Sequence, residues 1–109
     1  MKALSLNPSR ERVVIDGQEH YIVELTAQER DEYLNRVSER MRGDGPARYD
    51  GLQAELVSRA LRGPGDARFT FEAVQGWPAG TVAALFELAQ RVNGLTAPAD
   101  QQLEDRRKN

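Results

Sequence analysis

His20 is the one histidine in the chain, so it is the first residue to consider for proton transfer or metal binding. A zinc site needs three or four converging ligands, and a catalytic base needs a partner that orients it. The neighbouring residues supply neither arrangement. The chain also has no cysteine to act as a thiolate ligand or nucleophile. We therefore expect His20 to be an ordinary strand histidine.

Adjacent carboxylates occur at Asp31-Glu32 and Glu104-Asp105. Paired carboxylates catalyse reactions when a cleft separates their pKa values, but these pairs fall on the predicted solvent face of a helix and in a predicted tail. None of the serines stands in a nucleophile elbow. The glycine segments 43–46 and 63–65 lack the lysine and serine of a phosphate-binding loop. We predict a non-enzymatic protein with no catalytic residue, no metal ligand and no cofactor.

A cluster of arginines surrounds the predicted end of the first helix, at Arg36, Arg40, Arg42 and Arg48. These cations could contact phosphate, or they could complement the negative end of the helix dipole. The chain has 17 acidic and 15 basic residues and a net charge of -2, whereas nucleic-acid binders usually carry a basic excess. We favour the helix-dipole interpretation and do not expect nucleic acid as a partner.

Length and composition indicate one small domain. The chain has 109 residues, of which 39% are hydrophobic and 29% are charged. This is enough for a modest core but not for a large buried active site. The N-terminal residues lack the apolar run of a signal peptide, and no apolar run is long enough to cross a membrane. We expect a cytoplasmic protein without a membrane partner.

The pair Asp16-Gly17 separates two runs that are rich in β-branched and aromatic residues, which predicts a β-hairpin. Both residues tolerate the positive φ that a type I′ turn requires. We predict strands over 12–15 and 19–24, after an irregular lead-in over 1–11. A hairpin alone is marginally stable, so one of its faces must pack on another element.

Caps and chain breakers predict two antiparallel helices after the hairpin. The first begins at a capping box, Thr26 with Glu29, and ends at the Gly/Pro segment 43–46. The second begins at Asp50 and is stopped by segment 63–65. The apolar stripes are Tyr33, Leu34, Val37 and Met41 on the first helix, and Leu52, Leu56, Val57, Ala60 and Leu61 on the second.

Two further helices are predicted in the second half of the chain. Thr70 caps a short helix over 71–75, and Pro78 stands near the first turn of the last helix. Asn93-Gly94 ends that helix, because glycine suits the left-handed position that follows a helix. The core-facing stripe of the last helix is Val82, Leu85, Phe86, Ala89 and Val92.

The predicted fold class is therefore α+β and mainly α, with an N-terminal β-hairpin followed by three to four helices. A single globular domain spans 12–95, and 96–109 form a flexible charged tail. The apolar stripe of the last helix is wider than a small core requires. We take Trp77, Leu88, Val92 and Leu95 as candidate protein-binding residues, with Trp77 equally suited to the core or to an interface.

The order of these signals along 12–96 is more informative than any one of them. A strand pair leads into a capped, charged helix, then a middle helix, a short capped element before a proline, and a final helix with an Asn-Gly stop. The matching residues are Val14-Ile15-Asp16-Gly17, Tyr21, Val23-Glu24-Leu25-Thr26, Glu29-Arg30-Asp31-Glu32-Tyr33-Leu34, Gly51-Leu52-Gln53-Ala54-Glu55-Leu56, Thr70, Glu72, Val74-Gln75, Pro78 and Val92-Asn93-Gly94-Leu95.

In this order the chain resembles the small tail assembly chaperones of long-tailed bacteriophages and prophages. It departs mildly from the family pattern at Val92, where leucine is frequent. The resemblance implies that this chain coats the tape measure protein and helps recruit tail tube subunits, so that its partners are the tape measure protein and the tail tube protein. It also implies self-association into a homo-oligomer, action in the host cytoplasm, and absence from the mature virion.

Two other functions fit a small non-enzymatic domain. One is a structural virion protein, such as a minor tail or head-completion protein, which would be present in purified particles. The other is a nucleic-acid-binding regulator, which would need its arginines gathered on one surface and would show salt-dependent binding. The arginines that would have to share this surface are Arg36, Arg40, Arg42, Arg48, Arg59 and Arg62.

Overall fold

The chain folds as an N-terminal antiparallel hairpin followed by helices, as predicted, in a computed structural model that describes residues 1–43 and 51–95. The strands are β1 Arg10–Ile15, β2 Gln18–Val23 and β3 Leu61–Arg62. The helices are α1 Ala27–Met41, α2 Leu52–Ala60, α3 Phe71–Gln75 and α4 Ala79–Val92, with a 3-10 turn at Pro64–Asp66. The α+β, mainly α class is thus confirmed.

The hairpin forms around the predicted two-residue turn. Asp16 and Gly17 have φ of 51° and 75°, which is the left-handed backbone that this turn requires. Ile15 pairs with Gln18, and the ladder continues to Arg10 opposite Val23. β1 begins two residues earlier than predicted, and the chain stays paired just beyond it, because Glu24 N donates to Ser9 O at 2.8 Å.

A third strand extends the sheet in the order β1-β2-β3 and was not predicted. Leu61 was assigned to the second helix, but its φ of -84° and ψ of 135° are extended, and it pairs with Ile22. Leu61 and Ile22 are both fully buried. The ladder satisfies backbone groups that would otherwise be buried without partners, which explains why the helix stops at Ala60.

The helix ends follow the predicted capping chemistry. The hydroxyl of Thr26 accepts a hydrogen bond from Glu29 N, and that of Thr70 accepts one from Ala73 N, both at 3.1 Å. At the end of α4, Leu95 N donates to Gln90 O at 2.8 Å and Gly94 N donates to Arg91 O at 3.2 Å. These two backbone hydrogen bonds together form a Schellman motif.

The core lies where β2, α2 and α4 pack together. α2 contacts both α3 and α4, and α4 also packs against β2. The fully enclosed residues of the core are Ile22, Leu56, Val57, Ala60, Leu61, Val74 and Ala89. α1 joins this body through α2 and buries only Tyr33.

Some predictions fall outside the described residues. They are the helix start at Asp50, the Gly/Pro segment beyond Gly43, the position of Arg48 and the tail over 96–109. Among residues 1–43 and 51–95, none of the helices combines the length and the apolar content that a membrane span needs.

Candidate protein-binding surfaces

Three of the four predicted contact residues, Leu88, Val92 and Leu95, form a flank at the C-terminal end of α4. Leu88 and Val92 are four residues apart on one side of the helix, whereas Leu95 follows the helix end, after the left-handed Gly94. Each is partly buried and packs against the core, next to the buried row of Val82, Leu85 and Ala89. This flank therefore contributes to stability and keeps some apolar surface accessible.

Trp77 lies apart from that flank. It lies two residues before the first residue of α4, and Leu88 lies a further nine residues along the helix, roughly 14 Å at 1.5 Å per residue. Its partly buried ring meets Phe69 edge to face, with the ring centroids 5.2 Å apart. The four residues predicted from the sequence thus divide between two surfaces.

Among the helices of the described ranges, α1 carries the most accessible apolar strip, which was missed as a binding surface. Leu34 and Met41 are 43% and 45% exposed, and Val37 between them is partly buried. This stripe was recognised from the sequence but was not taken as a binding surface. The stripe is wider than its contact with the body: Tyr33 is buried and Val37 packs partly buried against the core, so Leu34 and Met41 remain in solvent.

Ion pairs attach the opposite side of α1 to the rest of the domain. The pairs are Glu29 with Arg68 at 3.5 Å, Glu32 with Arg59 at 3.0 Å, and Arg36 with Glu55 at 3.6 Å. The partner number falls as the α1 number rises, so α1 and α2 are antiparallel. Tyr33 and Val37 pack α1 against the body and these ion pairs add to that contact, which leaves Leu34 and Met41 largely in solvent.

The arginines that a nucleic-acid regulator would need are spread over several intramolecular contacts. Arg36 and Arg59 take part in the pairs just described, and the Arg40 guanidinium lies 5.8 Å from the centre of the Phe71 ring. Arg62 is 9% exposed and donates to the Arg59 carbonyl at 2.8 Å. Burial, followed by the charge of Arg68, lowers the pKa of Arg62.

Tyr33 is the buried anchor of α1, and its hydroxyl group is sensitive to its surroundings. Burial raises the pKa of Tyr33, and the nearby Glu55 carboxylate raises it further. Glu55 is itself 8% exposed and faces Arg36. We interpret the contact between Tyr33 and Glu55 as structural, because the Arg36 guanidinium offsets the negative charge of the Glu55 carboxylate.

His20 lies in a small pocket between the hairpin turn and the chain that leads into α4. It is 7% exposed, and its Nδ1 donates to the Gln18 carbonyl at 3.0 Å, since a carbonyl can only accept. The ring stacks on Phe69 at 5.9 Å between centroids. Within residues 1–43 and 51–95, no group of three or more His, Cys, Asp or Glu side chains could hold a metal ion.

A second groove opens on the other side of Trp77, between the start of α2, α3 and the start of α4. Its volume is about 420 Å³, and Val74, Val82 and Phe86 form its apolar floor. Gly51, the first residue of the second described range, also lines this groove.

Comparison of the chain with protein-family models, with curated proteins and with solved structures finds no match. The function must therefore be inferred from the surfaces of this molecule and from the order of its sequence motifs.

Proposed function

We propose that this chain is a non-enzymatic phage tail assembly chaperone that binds the tape measure protein and helps recruit tail tube subunits. The observation that carries the proposal is the apolar strip of α1, formed by Leu34, Val37 and Met41 and left accessible by the described residues. Such a strip suits a client whose apolar helical segments must stay soluble until assembly. The order of motifs along 12–96 supplies the link to tail assembly.

The geometry of the strip favours a helical client. Spacings of 3 and 4 residues give a row of apolar side chains along one side of a helix, which is how helix-in-groove contacts are anchored. Met41 adds an unbranched, polarizable side chain that adapts to different surfaces. A chaperone that covers many segments of one long client benefits from that tolerance.

The flank of α4 formed by Leu88, Val92 and Leu95 is a second, weaker candidate for the same client. Because these residues also pack on the core, substitutions there would change folding as well as binding. α1 therefore offers the cleaner test.

The test co-expresses the chain with the tape measure protein of the same phage or prophage and measures soluble client recovered with it. The variant is L34Q/M41Q, since glutamine matches leucine and methionine in helix propensity. The matched control is L4Q/L6Q, which alters leucines that are 84% and 104% exposed in the N-terminal segment. We expect the control to retain the client and L34Q/M41Q to lose most of it at an unchanged urea midpoint.

Two results would overturn the proposal. One is a client that ignores the unmodified chain. The other is the presence of this chain in purified particles, which would identify a structural virion protein. Equal recovery with L34Q/M41Q and with the unmodified chain would reject α1 as the contact while leaving the chaperone function standing.

A further inference from the structure

We propose that the pocket around His20 binds a basic side chain, lysine or arginine, of a protein partner. The site is separate from the α1 strip and does not depend on the chaperone function. The pocket has a volume of about 320 Å³, near the lower end of the range for ligand pockets, about 300–1,000 Å³. That size suits one side chain rather than a cofactor. The lining residues are Ile15, Asp16, Gln18, His20, Phe69, Trp77, Pro78 and Thr81.

Three aromatic rings form the walls and hold one another in place. His20 stacks on Phe69 with 21° between the ring planes, and Phe69 meets Trp77 at 74°. The hydrogen bond from His20 Nδ1 to the Gln18 carbonyl fixes the first ring to the hairpin. Mutually packed rings lose little conformational freedom on binding, so the pocket is preorganised.

Charge selects the occupant. Among the described residues, Asp16 contributes the only carboxylate that lines the pocket, and no lysine or arginine lines it. Aromatic faces attract cations, and a carboxylate beside them adds a favourable charge interaction. An anion would be repelled by Asp16, whereas an apolar side chain would desolvate the carboxylate without pairing it.

Asp16 can be neutralised without disturbing the hairpin, which makes the charge testable. It occupies the turn at φ 51°, and asparagine adopts this left-handed region as readily as aspartate. Asp66 provides a matched control, because it is also an exposed aspartate at positive φ, 61°, and does not line this pocket. D16N and D66N therefore remove the same charge from equivalent backbone.

Trp77 is the only tryptophan of the chain, and it lines both this pocket and the groove on its other side, so its fluorescence reports binding at either place. Asp16 lines only the His20 pocket of these two, so the D16N comparison assigns the signal. The probes are the pentapeptides Ac-AAKAA-NH2 and Ac-AARAA-NH2, with norleucine and citrulline replacing the basic residue as neutral isosteres. We expect a saturable change in Trp77 emission with Kd at least about fivefold lower for one basic peptide than for its isostere. D16N should abolish that difference, and D66N should preserve it.

Other outcomes would overturn the proposal. Equal affinity for a basic peptide and its isostere would show an apolar site, and the absence of a saturable change would show no site. If D16N and D66N weaken binding of the basic peptide equally, the preference would come from the net charge of the protein and not from Asp16 in the pocket. Binding of tetramethylammonium as tight as that of the lysine peptide would assign the pocket to small free cations instead of a protein partner.

Discussion

Replacing Asn93 with alanine should remove the polar contact that joins the end of α4 to the start of α1. Asn93 is 6% exposed. Its Oδ1 accepts a hydrogen bond from Leu25 N at 2.8 Å, and its Nδ2 donates to the Ala89 carbonyl at 2.9 Å and to the Val23 carbonyl at 3.4 Å. The Asn93 side chain thus forms hydrogen bonds with backbone groups on β2, on α4 and in the segment between β2 and α1.

The expected loss follows from which groups would be left without partners. The Ala89 carbonyl keeps the backbone hydrogen bond from Asn93 N at 3.1 Å, so it stays satisfied. The N–H of Leu25, a residue that is 8% exposed, would lose the bond it receives from Oδ1. An orphaned buried donor costs about 1–3 kcal/mol, and the weaker contact to Val23 brings the total to about 2–3 kcal/mol.

Urea unfolding followed by Trp77 fluorescence and by far-UV circular dichroism measures this loss. At a slope of about 1–3 kcal/mol per molar urea, the midpoint of N93A should fall by about 1–3 M without a change of slope. The control is N35A on the exposed surface of α1, which we expect to stay within about 0.5 kcal/mol of the unmodified chain. If N93A shifts the midpoint no more than N35A does, the contact across 68 residues does not stabilise the fold.

Further predictions concern the core, a cap and a titrating anchor. I22A should cost about 2–5 kcal/mol because Ile22 is fully enclosed, whereas V14A, at a side chain that is 62% exposed on the same hairpin, should stay near zero in the same urea assay. T26A should lower the free energy of unfolding by about 1 kcal/mol, because Glu29 N loses its capping acceptor; a loss equal to that of I22A would contradict a purely local role. Burial, then Glu55, raises the pKa of Tyr33 above its ordinary 10.0, so the unfolded chain ionises first and stability falls as the pH rises from 10 through the folded pKa. Y33F should flatten that fall in alkaline urea titrations, and an unchanged pH dependence would show that Tyr33 does not carry it.

Several features of the fold could be predicted because their causes lie within a few neighbouring residues. Asp16-Gly17 specifies its turn through backbone conformation alone. Thr26 and Thr70 each satisfy an N–H three residues ahead, and Asn93-Gly94 ends α4 through bonds within one turn. These signals need no knowledge of the rest of the chain.

β3 and the role of Asn93 could not be predicted in the same way. Leu61 continues the apolar stripe of α2, and only its pairing with Ile22, distant in sequence, turns it into a strand. Asn93 looks like a helix stop, yet its side chain also reaches Leu25. Both outcomes depend on which elements meet in space.

The candidate surfaces show the same division. Trp77, Leu88, Val92 and Leu95 were chosen by residue type and helical spacing, and the packing then spread them over two surfaces. Leu34 and Met41 have the same spacing signal, but their exposure depends on Tyr33 and the ion pairs that hold α1.

The sequence by itself determined the hairpin, the positions of the caps and the class of the fold, because hydrogen bonds and φ preferences act over a few residues. Only the tertiary structure decided which apolar stripes are covered, where Arg36 and Arg59 place their charges, and how His20, Phe69 and Trp77 come together with Asp16. Burial and pairing are properties of two surfaces in contact, and residues that meet in space need not be near in sequence.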